Sequence, residues 1–137
     1  MNHYVKWFCP IVWLGILGNF GFAIPAILFP QWLLSAVGLP ASYQSVWLGD
    51  AGLLLFFLSI LYFPAGLDPM RYKLNAIVLV VARFVFAVFW LWPVFFANAP
   101  RAYLIFGLID LAFGIAQGIL LLLVLREEKQ YAHAAHA

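Results

Sequence analysis

A chain of 137 residues that is 67% hydrophobic, 19% aromatic and 9% charged lacks the polar surface a water-soluble domain of this size requires. Its net charge of +2 is too small and too dispersed for a nucleic-acid surface, and one cysteine, Cys9, cannot form an internal disulfide. Lipid is therefore the solvent for most of the chain, and the length leaves room for a single membrane domain.

In chain order, a short polar leader precedes a first apolar span over residues 7–29, long enough to cross a bilayer at ~1.5 Å per residue. It exceeds a signal-peptide core and no small-x-small cleavage site follows it, so it is expected to be retained. Gly15, Gly18 and Phe22 recur at helical spacing beside Asn19, which predicts a narrow face for close helix approach. Pro25 is expected to kink the helix beyond that face. Residues 29–40 are apolar, too short to span and bracketed by prolines, so they predict a short interfacial helix with Trp32 at headgroup depth. That segment either covers helix ends or serves as a lid over an opening between helices.

A second span, 45–63, is expected to stop at Pro64 and Gly66. It carries Asp50 within its first two turns, placed either to meet the helix N-terminus and water or to join a buried polar cluster. The loop that follows holds Asp68, Arg71 and Lys73, with Asp68-Pro69 forming a plausible helix start. A third span, 74–97, contains Arg83 and is expected to bend or end at Pro93, with Trp90 and Trp92 as anchors. The short turn at 98–101 makes it an antiparallel neighbour of a fourth span, 102–125, which contains Asp110. Residues 126–137 read as a cytoplasmic tail, either a frayed helical extension or disordered.

The predicted fold is all-α, with four transmembrane helices in an up-down-up-down bundle and a short interfacial segment between the first two. Lys6, Arg71, Lys73, Arg126 and Lys129 fall on one side and Arg101 alone on the other, so both termini and the 67–73 loop are expected in the cytoplasm.

Two intramembrane charges give the fold its centre. Arg83 lies well inside its span and Asp110 well inside the next, at depths close enough for an extended arginine to reach across. A lone charge at the bilayer centre costs on the order of 2.5–3.5 kcal/mol, so pairing is expected. Gly107, Asp110, Gly114, Gln117 and Gly118 share one face of the fourth span, with Val80, Arg83, Ala87 and Trp90 as the matching stripe on the third. Three readings of this centre stay open: a structural ion pair, the polar end of a ligand cavity, or a charge completed by a partner subunit.

Other chemistries lack their residues. His3, His133 and His136 lie in the terminal segments, which leaves no imidazole within a span for haem or copper, and no metal site, phosphate loop or nucleophile motif is present. No catalytic residue and no resident cofactor is expected, although a bound lipid or quinone fits the apolar surroundings. The aromatic residues are expected to be lipid-facing and interfacial bulk.

Four short spans, a second span opening Trp47-Leu-Gly-Asp-Ala-Gly-Leu53 and a basic loop before the third together resemble the DoxX-like group of small bacterial inner-membrane proteins. The resemblance implies a multi-pass protein of the bacterial inner membrane and a link to quinone-associated redox complexes. The first span lacks the arginine and lysine of that pattern, so it assigns no catalytic residue here. The function expected is that of a non-catalytic accessory or assembly subunit, packing its glycine and aromatic faces against other integral membrane subunits, or against copies of itself, among membrane lipids. The alternative is a small membrane enzyme or carrier that binds a quinone or lipid-like molecule near Arg83 and Asp110.

Overall fold

The computed structural model describes residues 3–39 and 45–134, and among them it is built of α-helices joined by short turns. The helices are α1 (Val5–Leu28), α2 (Pro30–Ala36), α3 (Ser45–Leu67), α4 (Lys73–Phe96) and α5 (Ala102–Ala134). Four of them, all but α2, are long and apolar enough to cross a membrane. Helices satisfy their backbone hydrogen bonds internally, which is what a lipid surrounding demands of so apolar a sequence.

α1 packs mainly on α3 and α4 mainly on α5, and both pairs meet in opposite chain order. Along the first pair, Trp13 Nε1 donates to the Gly66 carbonyl at 3.0 Å and Asn19 Nδ2 donates to Ser59 Oγ at 3.1 Å. Further along, a Cβ on Gly52 would stand 2.9 Å from that of Ala26. Along the second pair, Lys73 meets Glu128 at 2.6 Å, Gly118 backs onto Val80, Gly107 onto Leu91, and the Trp90 and Tyr103 rings lie 5.1 Å apart. Smaller α1–α5 and α3–α4 contacts close the ring of helices. One of these is the Asn75 amide donating to the Leu61 carbonyl at 2.8 Å.

The interior is filled unevenly. Phe8, Val12, Ile16, Tyr62, Leu79 and Val124 pack into a continuous buried core at the end of the bundle nearest the amino terminus. Toward the other end α1, α3, α4 and α5 all contribute side chains to the lining of a cavity. Large apolar side chains such as Leu14, Leu17, Phe57, Val85 and Ile119 point outward, as expected of surfaces solvated by acyl chains.

Several boundaries differ from those expected. α3 runs through Pro64 to Leu67 instead of stopping at 63. One proline removes only its own amide, and here Ala65 and Gly66 are buried against α1, where Trp13 caps the Gly66 carbonyl. Pro93 likewise sits inside α4, and its carbonyl receives the amides of Ala97 and Ala99 where the helix ends. Asp68 caps a separate turn through the Met70 and Arg71 amides, and α4 begins only at Lys73. The extension after 125 is helical to Ala134, with the Glu127 carboxylate accepting from the His3 amide at 2.9 Å; residues 135–137 lie outside the described residues. The Lys73–Glu128 pair is half exposed, so Lys73→Met is expected to cost less than about 1 kcal/mol, measured as thermal unfolding in mild detergent.

Candidate ligand cavity

Arg83 is the residue around which the helices are spaced. Its side chain crosses the interior from α4, and the neighbouring helices make room for it. A Cβ on Gly15 of α1 would lie 2.7 Å from Arg83 Nη2, and one on Gly114 of α5 would lie 3.3 Å from Arg83 Cβ. Glycine at both places lets the guanidinium occupy the centre.

There Arg83 Nη1 donates to Asp110 Oδ1 at 2.6 Å, and the guanidinium sits over the Phe113 ring at 5.1 Å. Both partners are largely buried, with side-chain exposures of 7% and 14%. A short charge-assisted contact at low exposure is the geometry in which two opposite charges offset their desolvation. Arg83 Nε and Gln117 Oε1 are nevertheless buried without a hydrogen-bond partner, each at a cost of about 1–3 kcal/mol.

Beside the pair opens a cavity of about 550 Å³, within the range of small-molecule sites. Arg83, Asp110 and Asn19 contribute polar groups at its deep end, and Phe86 and Phe113 flank them. At its other end stand Asp50 and four rings, those of Phe22, Trp47, Trp90 and Phe106. The same four rings line a smaller cleft of about 40 Å³ beneath Leu33 and Leu34 of α2. α2 thus covers this end of the bundle with its two leucines turned in and Trp32 turned out. Pro40, which closes the predicted interfacial segment, lies outside the described residues.

The predicted polar residues divide. Arg83 and Asp110 meet each other and the cavity. Asp50 lines the same cavity but belongs to its opposite end, since it lies two residues beyond Gly52, which packs at the Ala23–Ala26 level of α1 while Arg83 packs at Gly15. At ~1.5 Å per residue that separates the two groups by roughly 15 Å along the bundle. Asp50 has no hydrogen-bond or ion-pair partner among the described residues. Gln117 is buried between α5 and α1, its amide 3.4 Å from the Ile11 carbonyl, and does not line the cavity.

The predicted packing glycines also divide. Gly15, Gly107, Gly114 and Gly118 are used within the chain, whereas Gly18 lines the cavity with open space where a Cβ would stand.

Sequence reasoning missed Ser59, Gly52 and Gly66 on α3, whose spacing of seven residues marks one small-residue face. It also assigned all the rings to lipid, because a ring facing a cavity and one facing acyl chains sit in sequences of the same hydropathy. No metal-binding cluster occurs among the described residues; His136 lies outside them, as does the side chain of His133. No family model, curated protein or solved structure matches the chain.

Proposed function

We propose that this chain binds an amphipathic, lipid-like molecule, a quinone being one candidate, in the cavity between its two helix pairs, and acts as a small membrane carrier or ligand-binding protein. The observation that carries this reading is the cavity itself: about 550 Å³, walled by aromatic rings, with charged side chains at its ends. An interior that served only to hold four helices together would be filled, as its other half is by Phe8, Ile16 and Leu79.

The glycine faces that suggested docking to a larger complex give less support to an accessory role. Gly107, Gly114 and Gly118 are covered by Leu91, Phe84 and Val80 of the same chain, so α5 keeps no free glycine face for another subunit. The topology belonging to this proposal is up-down-up-down in a bacterial inner membrane, with both termini and the 67–73 loop cytoplasmic. The filled half of the bundle then faces the cytoplasm, and the cavity lies in the outer half beneath α2.

The test is to purify the protein in mild detergent, identify retained small molecules by mass spectrometry, and titrate decylubiquinone and decyltrimethylammonium into the delipidated protein. Gly18→Phe places a ring into open cavity space without a steric conflict at its Cβ. It is expected to leave thermal unfolding within about 1 kcal/mol of the parent and to weaken binding at least ~10-fold. A parent protein that retains nothing, binds neither probe and migrates only with a large partner complex would overturn the proposal in favour of the accessory role.

A further inference from the structure

The two ends of the cavity differ in what they leave unsatisfied. At the deep end one guanidinium and one carboxylate already neutralise each other at 2.6 Å. At the other end the exposed residue Asp50 lines the cavity with no basic residue among the lining side chains there, and the rings of Trp47, Trp90, Phe22 and Phe106 line the same end. Counting the lining charges, Asp50 and Asp110 against Arg83, the cavity carries one net negative charge.

A carboxylate among electron-rich ring faces is a recognition chemistry for organic cations. Ring quadrupoles attract an ammonium group, and a quaternary ammonium, which cannot donate a hydrogen bond, depends on them most. A neutral carbonyl ligand would draw on Arg83 and make no use of Asp50, while an anion would be repelled by it. Below the rings the cavity continues past Leu54, Leu55 and Phe86 for roughly 15 Å along the helices, enough to take an alkyl chain.

We infer that the ligand is a lipophilic cation, an amine or quaternary ammonium on an apolar tail, with its positive group held by Asp50 within the Trp47–Trp90–Phe22–Phe106 rings and its tail directed toward Arg83 and Asp110. The inference rests on the ligand-binding reading above and narrows it by charge. Asp50 supplies the charge recognition, and the Arg83–Asp110 pair, being self-neutralised, sets the depth at which the tail stops. α2 lies over the adjoining cleft, where Leu33 and Leu34 meet the same four rings.

The experiment measures equilibrium binding of radiolabelled decyltrimethylammonium to the full chain in nanodiscs, with empty nanodiscs subtracted, and competition by decyl sulfate and by decylubiquinone. The expected result is saturable binding that decyl sulfate does not displace. Asp50→Asn should weaken it about tenfold or more at unchanged thermal stability, Asp50→Glu should restore most of it, and Trp90→Leu should weaken it several-fold. Saturable binding of decylubiquinone that Gly18→Phe abolishes, with no saturable binding of the cation, overturns the cationic assignment and leaves the cavity proposal standing. Cation binding that is the same in Asp50→Asn overturns it as well. Absence of binding by every probe overturns both.

Discussion

Asp110→Asn is expected to destabilise the protein by about 3 kcal/mol, read from thermal or denaturant unfolding in mild detergent. The substitution keeps the shape of the side chain and an oxygen to accept from Arg83 Nη1, but it removes the charge that the guanidinium was buried against. Breaking a buried pair from one side costs about 3–5 kcal/mol because the surviving charge is uncompensated, and the retained acceptor sets the expectation at the lower end.

The companion experiment removes both charges. Arg83→Met combined with Asp110→Leu is expected to recover most of the loss, with a coupling between the sites of at least ~1.5 kcal/mol, because apolar groups of similar volume replace the pair without desolvation. Unchanged unfolding of Asp110→Asn accompanied by lost ligand retention would show that the pair serves the cavity and not the fold. The two roles are separable for a structural reason: Arg83 and Asp110 meet through Nη1, and both residues also line the cavity.

The placement of this pair was legible in the sequence because charge in an apolar span has few ways to be satisfied. Spacing along two antiparallel spans then fixed which residues could meet, and the glycine positions on the fourth span showed where α4 would come closest. Helix ends were less legible at Pro64, where a residue that ordinarily stops a helix is tolerated because the turn beyond it is buried against α1 and Trp13, 53 positions away, caps the Gly66 carbonyl at the helix end. The cavity was not legible at all. Its walls are Phe, Trp and Leu like the outer surface, and whether such a residue faces lipid or a void depends on how far two helix pairs diverge. Asp50 illustrates the same limit: its sequence position allowed both a water-facing and a cluster role, and it stands exposed near the start of α3, at the opposite end of a cavity from the charges it was grouped with.

What sets the close approach of α1 and α3 is tested by the other large expected effect, that of Gly52→Val. A Cβ at this position would stand 2.9 Å from Ala26 Cβ, 3.1 Å from the Ala23 carbonyl oxygen and 3.1 Å from Ile27 Cγ1. Two of these neighbours are backbone or fixed directly to it, so no side-chain rotation can relieve the contact and α1 must move as a body away from α3. Overpacking of this kind costs about 1–3 kcal/mol, against a gain of at most ~1 kcal/mol from replacing glycine within a helix, and the branched side chain places the expectation near the upper limit, about 3 kcal/mol. Gly49, one turn earlier on α3, has nothing within 4 Å of its Cβ position, so Gly49→Ala is expected to be neutral or stabilising by up to ~1 kcal/mol. The contrast separates a requirement for close approach from a general intolerance of substitution in α3. Because Ala51 and Asp50 adjoin Gly52 and line the cavity together with Gly18, Asn19 and Phe22 of α1, displacing α1 from α3 also shifts the cavity wall beside the carboxylate. Gly52→Val is therefore expected to lose decyltrimethylammonium binding together with stability, whereas Asp50→Asn loses binding alone, and equal unfolding of Gly52→Val and Gly49→Ala would show that the α1–α3 spacing is not fixed by this contact.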